Sequence, residues 1–508
     1  MLDGLTARPV LAAVVLFVTY PIFNIIYNIF FHPLAKIPGP WSWGCSRFPF
    51  IHALIKGTIV HDIEKLHRKY GPVLRIAPDE VTFAKAEAWN DIFQLRQDHQ
   101  QFLKDPVWWK AQPGQPDSLL SAINPDMHAR IRKLLVPGFT PRALRAQEPI
   151  VQRYVNLLVE RLTERVADLG KESKGKQVEM DIAPWFQYAT FDIFGDLGFG
   201  ESFDCLEHSR YHPWIELLFN SVKAAAFVIS ARFYPLVDGL LMKCIPPSLK
   251  KMQSDHFQQI VDKVQRRLNW ELERPDLMSH VIEVSKSNEG LPIGVINSTF
   301  AILTTAGSET TATALCGTLN YLVAQPITLA ILVKEIRDAF PSGDNMTLDA
   351  LKDLPYLNAV LNEGLRLCPP IPWVLPRRVP VGGDTVCGVW LPGGTPVSIQ
   401  QWTLNRDPTY FHSSLSFCPE RWLPEASSNP KSEFFNDQRQ AINPFSVGPR
   451  NCMGQHLAWA EMRLILSKLL WNFDFESIEG KTFKWEELRT FLLVEKKPME
   501  VRINVRPA

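Results

Sequence analysis

The stretch Asn443-Pro444-Phe445-Ser446-Val447-Gly448-Pro449-Arg450-Asn451-Cys452-Met453-Gly454 places one cysteine in a turn-rich loop, ahead of an amphipathic run reaching Asp474. Pro444 and Pro449 fix φ and donate no backbone N–H, while Gly448 and Gly454 permit turns or a close approach. A cysteine at the start of a helix meets the positive end of the dipole and free backbone N–H groups, which favours thiolate over thiol. The loop offers no second cysteine or histidine at metal-site spacing. One thiolate suits an iron whose equatorial ligands come from a porphyrin. The plainer alternative is a structural cysteine buried beside a tight turn.

Two further groups of residues could do chemistry or hold it in place. Pro292 to Gln325 reads as one long apolar helix, roughly 50 Å if continuous, opened by Pro292 and stopped by Pro326. Inside it stand Ala306-Gly307-Ser308-Glu309-Thr310-Thr311. A buried carboxylate beside two hydroxyls is costly unless bonded or useful. Thr310 could equally bond back to the carbonyl one turn earlier, and Gly307 allows close approach to the backbone. The second group is Glu363 and Arg366, three apart on a helix predicted over Pro355–Leu367, followed by Pro419-Glu420-Arg421-Trp422.

The run Phe445-x-x-Gly448-x-Arg450-x-Cys452-x-Gly454 resembles the haem-binding signature of the cytochrome P450 family at all five of its fixed positions. The resemblance implies that Cys452 is the axial ligand of the iron in haem b (iron protoporphyrin), with Phe445 beside the cofactor and Arg450 facing a propionate. Ala306 to Thr311 resembles the family's oxygen-activating segment, which would make Thr310 the residue that holds a water or dioxygen, Glu309 the proton supply and Gly307 a haem neighbour. Arg132 keeps the arginine of the family's Trp-x-x-x-Arg helix, whereas His128 stands where the tryptophan is usual. Arg377 would be a further propionate partner. Glu363, Arg366 and Arg421 would form the family's buried ionic network that steadies the cysteine loop.

The elements that must carry these residues follow from the rest of the chain. Residues 1–8 form a short tail, and 9–31 are apolar and free of charge, long enough to cross a bilayer. Residues 32–45 read as a stiff proline-rich linker, and the phrase FHPLAKIPGP resembles that of membrane-bound fungal members of the family. His61 to Tyr70 has helical spacing, and short strands follow at Val73–Ala77 and Glu80–Phe83. From Pro141 to about Gly290 the pattern is helical, broken at 171–176 and 204–213. Leu236–Pro247 is largely apolar and reads as a membrane-dipping surface, a pocket roof or a buried loop. The eight cysteines include no CxxC pair, which argues against a zinc site or a disulfide framework.

A formal charge of +1 gives no reason to expect nucleic acid as a partner. Between Asp126 and Glu148 there is no acidic residue, so Arg130, Arg132, Lys133, Arg142 and Arg145 form a basic patch, either a solvated helix face or a dock for an acidic electron donor. The resemblance thus implies a mainly α protein with a small β portion, a haem-thiolate fold over 46–508 preceded by one N-terminal transmembrane helix. It implies a monooxygenase that acts on a small hydrophobic organic substrate, fed from NADPH by a reductase docked on the basic proximal face. A single-pass endoplasmic reticulum anchor with a cytosolic catalytic domain, and a place in fungal secondary metabolism, go with that reading. Family members that rearrange or dehydrate substrates or couple rings are the alternative, and a non-catalytic haem sensor is another.

Overall fold

The computed structural model describes residues 19–506 and Val15, apart from 112–113, 173–176, 271, 286–289 and 482. In chain order its longer helices are α1 (Ile59–Tyr70), α2 (Pro125–Leu135), α3 (Pro141–Glu172), α4 (Ala183–Phe199) and α5 (Pro213–Arg232). Then come α6 (Pro247–Leu268), α7 (Ile293–Ala324), α8 (Pro326–Ala339), α9 (Pro355–Leu367) and α10 (Gln455–Asn472). The first strands are β1 (Val73–Ala77), β2 (Glu80–Phe83), β3 (Leu103–Lys104) and β4 (Glu179–Asp181). They are followed by β5 (Val374–Arg378), β6 (Asp384–Val386), β7 (Val389–Leu391) and β8 (Pro396–Ile399). The last are β9 (Phe473–Ser477), β10 (Thr490–Phe491), β11 (Leu493–Val494) and β12 (Glu500–Val505). Helix dominates and sheet is a small portion, as expected.

The chain forms two compact units, Met1–Asp105 with Trp373–Leu404, and Pro106–Pro372 with Asn405–Ala508. The smaller unit is built on a sheet of order β1-β2-β8-β5-β3, in which only β2 and β8 run parallel. β2 is buried at every position, so Val81 and Phe83 and the alternate Glu80 and Thr82 are all enclosed. α1 turns Ile59, Val60 and Ile63 inward and stops at Gly71, whose φ of 101° suits glycine. The proline-rich linker lies along β1: the Arg75 N–H donates to Pro38 O at 2.8 Å, and a Cβ on Gly39 would meet Arg75 O at 2.5 Å.

The first part of the expected anchor, 9–14 and 16–18, lies outside the described residues. From Thr19 to Phe31 the chain is helical, ending in a π-turn at Tyr27–Phe31. Tyr20, Phe23, Phe30 and Phe31 stand exposed there. Among the described residues no single helix is long and apolar enough to cross a membrane.

The larger unit is organised around α7. Its residues from Thr311 to Asn320 are all buried, and it packs on α4, α9 and α10. Every residue of α4 except Pro184 is buried; each large apolar side chain it encloses, such as Phe186, Phe191 or Leu197, contributes about 1.5–3 kcal/mol of burial. Close packing against α9 needs glycine, because a Cβ on Gly364 would sit 2.0 Å from Thr318 Oγ1. β4, β12 and β9 form a three-stranded sheet, and β10 and β11 form a separate hairpin. The apolar segment before Pro247 is an exposed helix, Pro235–Cys244, with Leu236, Val237 and Leu240 outward, so the buried-loop reading is set aside.

Candidate active site

The cysteine loop is held by its own backbone. The Cys452 N–H donates to Phe445 O at 2.8 Å, and the Asn451 N–H donates to Gly448 O at 3.1 Å across a 3-10 turn over Gly448–Arg450. Gly448 has φ 78°, a conformation glycine adopts freely. Phe445 packs its ring 6.2 Å from that of Trp459 on α10. Cys452 lies just before α10, whose N-cap is Gly454, and its side chain is accessible although the core surrounds it. Burial pushes the thiol above its ordinary value, while the Gly454 N–H and the Arg132 guanidinium pull it down without prevailing. Desolvation thus opposes the helix end at this thiol, and a cation bound to the sulfur would favour the anion.

Two arginines flank the loop. Arg132, on α2, grips the residue before the cysteine, donating to Asn451 O at 2.8 Å and Asn451 Oδ1 at 2.6 Å. Arg450 donates to the carbonyls of Ala122 and Ile123 at 2.6 and 2.8 Å. Burial pulls Arg450 down to about 10, and no carboxylate offsets this. Arg132 is likewise lowered by burial, with only Cys452 opposing. His128, one turn before Arg132, is buried. Arg377 belongs to the smaller unit, on β5, buried with its guanidinium 5.3 Å from the Phe93 ring.

On α7 the stretch Ala301 to Thr310 departs from its surroundings. Ala301, Ile302, Leu303, Thr305, Gly307 and Thr310 are partly accessible and Ala306 is exposed, within a helix whose other residues from Val295 to Val323, Tyr321 apart, are buried. Thr310 Oγ1 donates to Ala306 O at 2.7 Å, the back-bond that the sequence allowed. Gly307 is needed for contact with α4, since a Cβ there would lie 2.8 Å from Phe194 Cδ2. Glu309 is buried and turned toward α4: Gln187 Nε2 donates to Oε2 at 2.8 Å, and Lys496 Nζ forms an ion pair with Oε1.

The ionic network expected at Glu363, Arg366 and Arg421 is joined and fully enclosed. Arg366 donates to both Glu363 oxygens at 2.8 and 2.6 Å, and Arg421 Nε donates to Oε1 at 3.1 Å. The Trp422 indole N–H and the Cys418 N–H complete the carboxylate's shell, each at 2.8 Å. Sequence reasoning missed Asp437, which pairs with Arg421 from a loop with no pattern to mark it. It also missed Glu461 on α10. That residue carried a legible signal, because Leu457, Glu461, Leu464 and Lys468 share helical spacing and all four are buried. Burial pushes the Glu461 carboxyl well above its ordinary value, opposed only by the Thr311 hydroxyl of α7, and Oε2 has no hydrogen-bond partner.

These features fit an iron porphyrin. An accessible sulfur within the core gives one soft ligand, two guanidinium groups without carboxylate partners suit propionates, and an accessible strip on a buried helix leaves room at the helix surface. Among the described residues no cluster of histidine, cysteine and carboxylate could hold a metal ion alone.

Comparison with known proteins agrees. Residues 38–503 match the family Cytochrome P450. The chain is 41% identical over 483 residues to the cytochrome P450 monooxygenase lcsI of Purpureocillium lilacinum, covering 94% of this chain and 91% of that one. It is 38% identical over 510 residues to averantin hydroxylase of Dothistroma septosporum, covering 100% and 93%. It is 36% identical over 490 residues to trichothecene C-15 hydroxylase of Fusarium sporotrichioides, covering 96% of each. A haem-dependent oxygenase is the class that fold and site define. The chain belongs to the cytochrome P450 family and is a monooxygenase.

Proposed function

We propose that the chain hydroxylates or epoxidises a small hydrophobic organic molecule in fungal secondary metabolism, using haem b ligated by Cys452 and electrons from an NADPH-dependent reductase. The observation that carries this reading is the accessible Cys452 sulfur in the core, beside guanidinium groups that lack carboxylate partners. When bound, the haem supplies reductive activation of O2, one atom entering the substrate and the other leaving as water.

The polypeptide's part is to hold, orient and move protons. Cys452 provides the thiolate, and the Phe445 carbonyl fixes its backbone. Arg450 and Arg132, with His128 one turn away, would hold the propionates, whose charge would offset the burial that depresses both guanidinium groups. Phe445 and Gly307 would border the cofactor. Thr310 already donates to Ala306 O, so its oxygen is free to accept from water on the accessible side of α7. Glu309, the adjacent carboxylate, brings protons to it. The exposed aromatic run from Tyr20 to Phe31 supports attachment to the endoplasmic reticulum membrane through the N-terminal segment, with the catalytic body in the cytosol. Relatives named for the hydroxylation of averantin and of a trichothecene support hydroxylation of an organic secondary metabolite, a polyketide, terpenoid or alkaloid skeleton.

Reduced protein under carbon monoxide is expected to show the absorption of a thiolate-ligated haem, and extraction to yield haem b. Cys452→His should abolish the thiolate-type spectrum. A retained spectrum in that variant overturns the assignment.

A further inference from the structure

The carbonyl that holds the Cys452 backbone belongs to Phe445, and the loop between them carries local strain. Ser446, next to Phe445, sits at φ 58°, a left-handed conformation that a serine enters at a cost. The loop therefore depends on outside contacts to keep the Phe445 carbonyl on the Cys452 N–H at 2.8 Å. Phe445 is only half-buried, so enclosure in the core does not supply them. Its ring instead meets that of Trp459 on α10, tilted by 45° with the centroids 6.2 Å apart.

Trp459 is also half-buried and is held in turn by Arg463, one helical turn further along α10, whose guanidinium lies 4.8 Å from the indole centroid. Arg463 Nε donates to Asn358 Oδ1 on α9 at 2.8 Å. The Asn358 amide is oriented for this. Its nitrogen donates to the carbonyls of Lys352 and Leu354 at 3.0 and 2.6 Å, which leaves the oxygen to the arginine. Burial lowers the Arg463 guanidinium, and no carboxylate among the described residues opposes that shift.

Four side chains thus run from α9 to the cysteine loop: Asn358, Arg463, Trp459 and Phe445. They share none with the Glu363 network, which leaves the same helix by Arg366 and Arg421. At the far end the Gly454 N–H bonds to the Cys452 sulfur. A hydrogen bond to a ligand sulfur stabilises the more electron-rich state of the metal and so raises its reduction potential.

We propose that Trp459 is a positioning residue for the axial ligand: clamped by Arg463 and Asn358, it backs the Phe445 ring and keeps the Cys452 sulfur within reach of the Gly454 N–H. Its consequences are a higher haem reduction potential and a more durable sulfur–iron bond. This rests on the reading of Cys452 as the haem ligand.

The test uses the full-length holoenzyme with Trp459→Leu, Trp459→Phe and Arg463→Met. Leu470→Ala is the control, because it opens the buried face of α10 about three turns from Trp459. Spectroelectrochemical titration gives the haem midpoint potential, and the decay of the thiolate-type carbon monoxide spectrum in mild urea gives the durability of the bond. W459L is expected to lower the potential and to speed the decay roughly tenfold, as the loss of one aromatic and one cation–π contact would do. W459F keeps a ring against Phe445 and should lie closer to the parent. R463M keeps the indole, should move both quantities the same way by less, and carries the test where W459L fails to take up haem. L470A should lower stability in urea without moving the potential. A potential unchanged or raised in both W459L and R463M, or lowered as far in L470A at equal stability loss, overturns the role of Trp459. A parent protein without the thiolate-type spectrum overturns the Cys452 reading instead.

Discussion

Glu461 is enclosed between α10 and α7 with one hydroxyl partner, so burial keeps its proton on. Its folded pKa lies above the unfolded one, and stability is therefore full below the unfolded pKa and is lost as pH rises toward the folded value. Each pH unit in that window costs about 1.4 kcal/mol for one proton. Glu461→Gln removes the titration while keeping the shape. Denaturant unfolding from pH 6 to 9 should show a flatter decline for E461Q than for the parent protein. Parallel curves would mean that Glu461 ionises freely in the fold. Residues of this kind escape motif reading, because an acid at a buried helix position looks like any other glutamate until its neighbours are known.

At the scale of elements, α9 and the Pro419–Trp422 turn are locked by the Glu363 network. Burial would raise the Glu363 carboxyl, but Arg366, then Arg421 and the Cys418 N–H, hold it below its ordinary value. Its contribution is thus present above the unfolded pKa and is lost as pH falls through the folded one. Glu363→Gln leaves two buried guanidinium groups short of a counter-ion, and breaking such a pair costs about 3–5 kcal/mol. Urea unfolding at pH 7 should show that loss, with the gap narrowing on acidification. If the network steadies the cysteine loop, haem retention falls in parallel; full retention at equal stability would confine the network to ornamenting α9. Asp437 belongs to the same unit of charge, and Arg421 spans it and Glu363.

For the whole molecule, net charge is near zero, while the stretch between Asp126 and Glu148 carries no acidic residue. Arg130, Lys133 and Arg142 are exposed there, and Arg145 is partly neutralised by Asp349 at 2.9 Å. Lys352 shares that carboxylate, so the field comes chiefly from the first three. Charges on a face raise the association rate of an oppositely charged partner, and salt screens them over about 8–10 Å at physiological strength. If the proposed reductase docks on this stretch, neutralising Arg130, Lys133 and Arg142 together should slow electron transfer from it roughly tenfold or more at low salt, with the difference fading as salt rises. Substrate affinity, read from ligand-induced spectral shifts, should not move. A fall in affinity with unchanged reduction would place the partner elsewhere.

Much of this protein could be read before any fold was known. Prolines and glycines marked where helices stop, as at Gly71 and Pro326, and local chain geometry obeys such marks almost regardless of context. The signature around Cys452, the Ala306–Thr311 segment and the paired Glu363 and Arg366 were legible for the same reason: each is a fixed spacing within one loop or one helix. What the sequence left open was settled by partners far along the chain. Gln187 and Lys496 turn Glu309 toward α4, Asn451 occupies Arg132, Phe194 explains Gly307, and desolvation opposes the helix end at Cys452. Spacing is a property of neighbours on the chain, whereas charge state and orientation depend on whatever the packed core brings alongside.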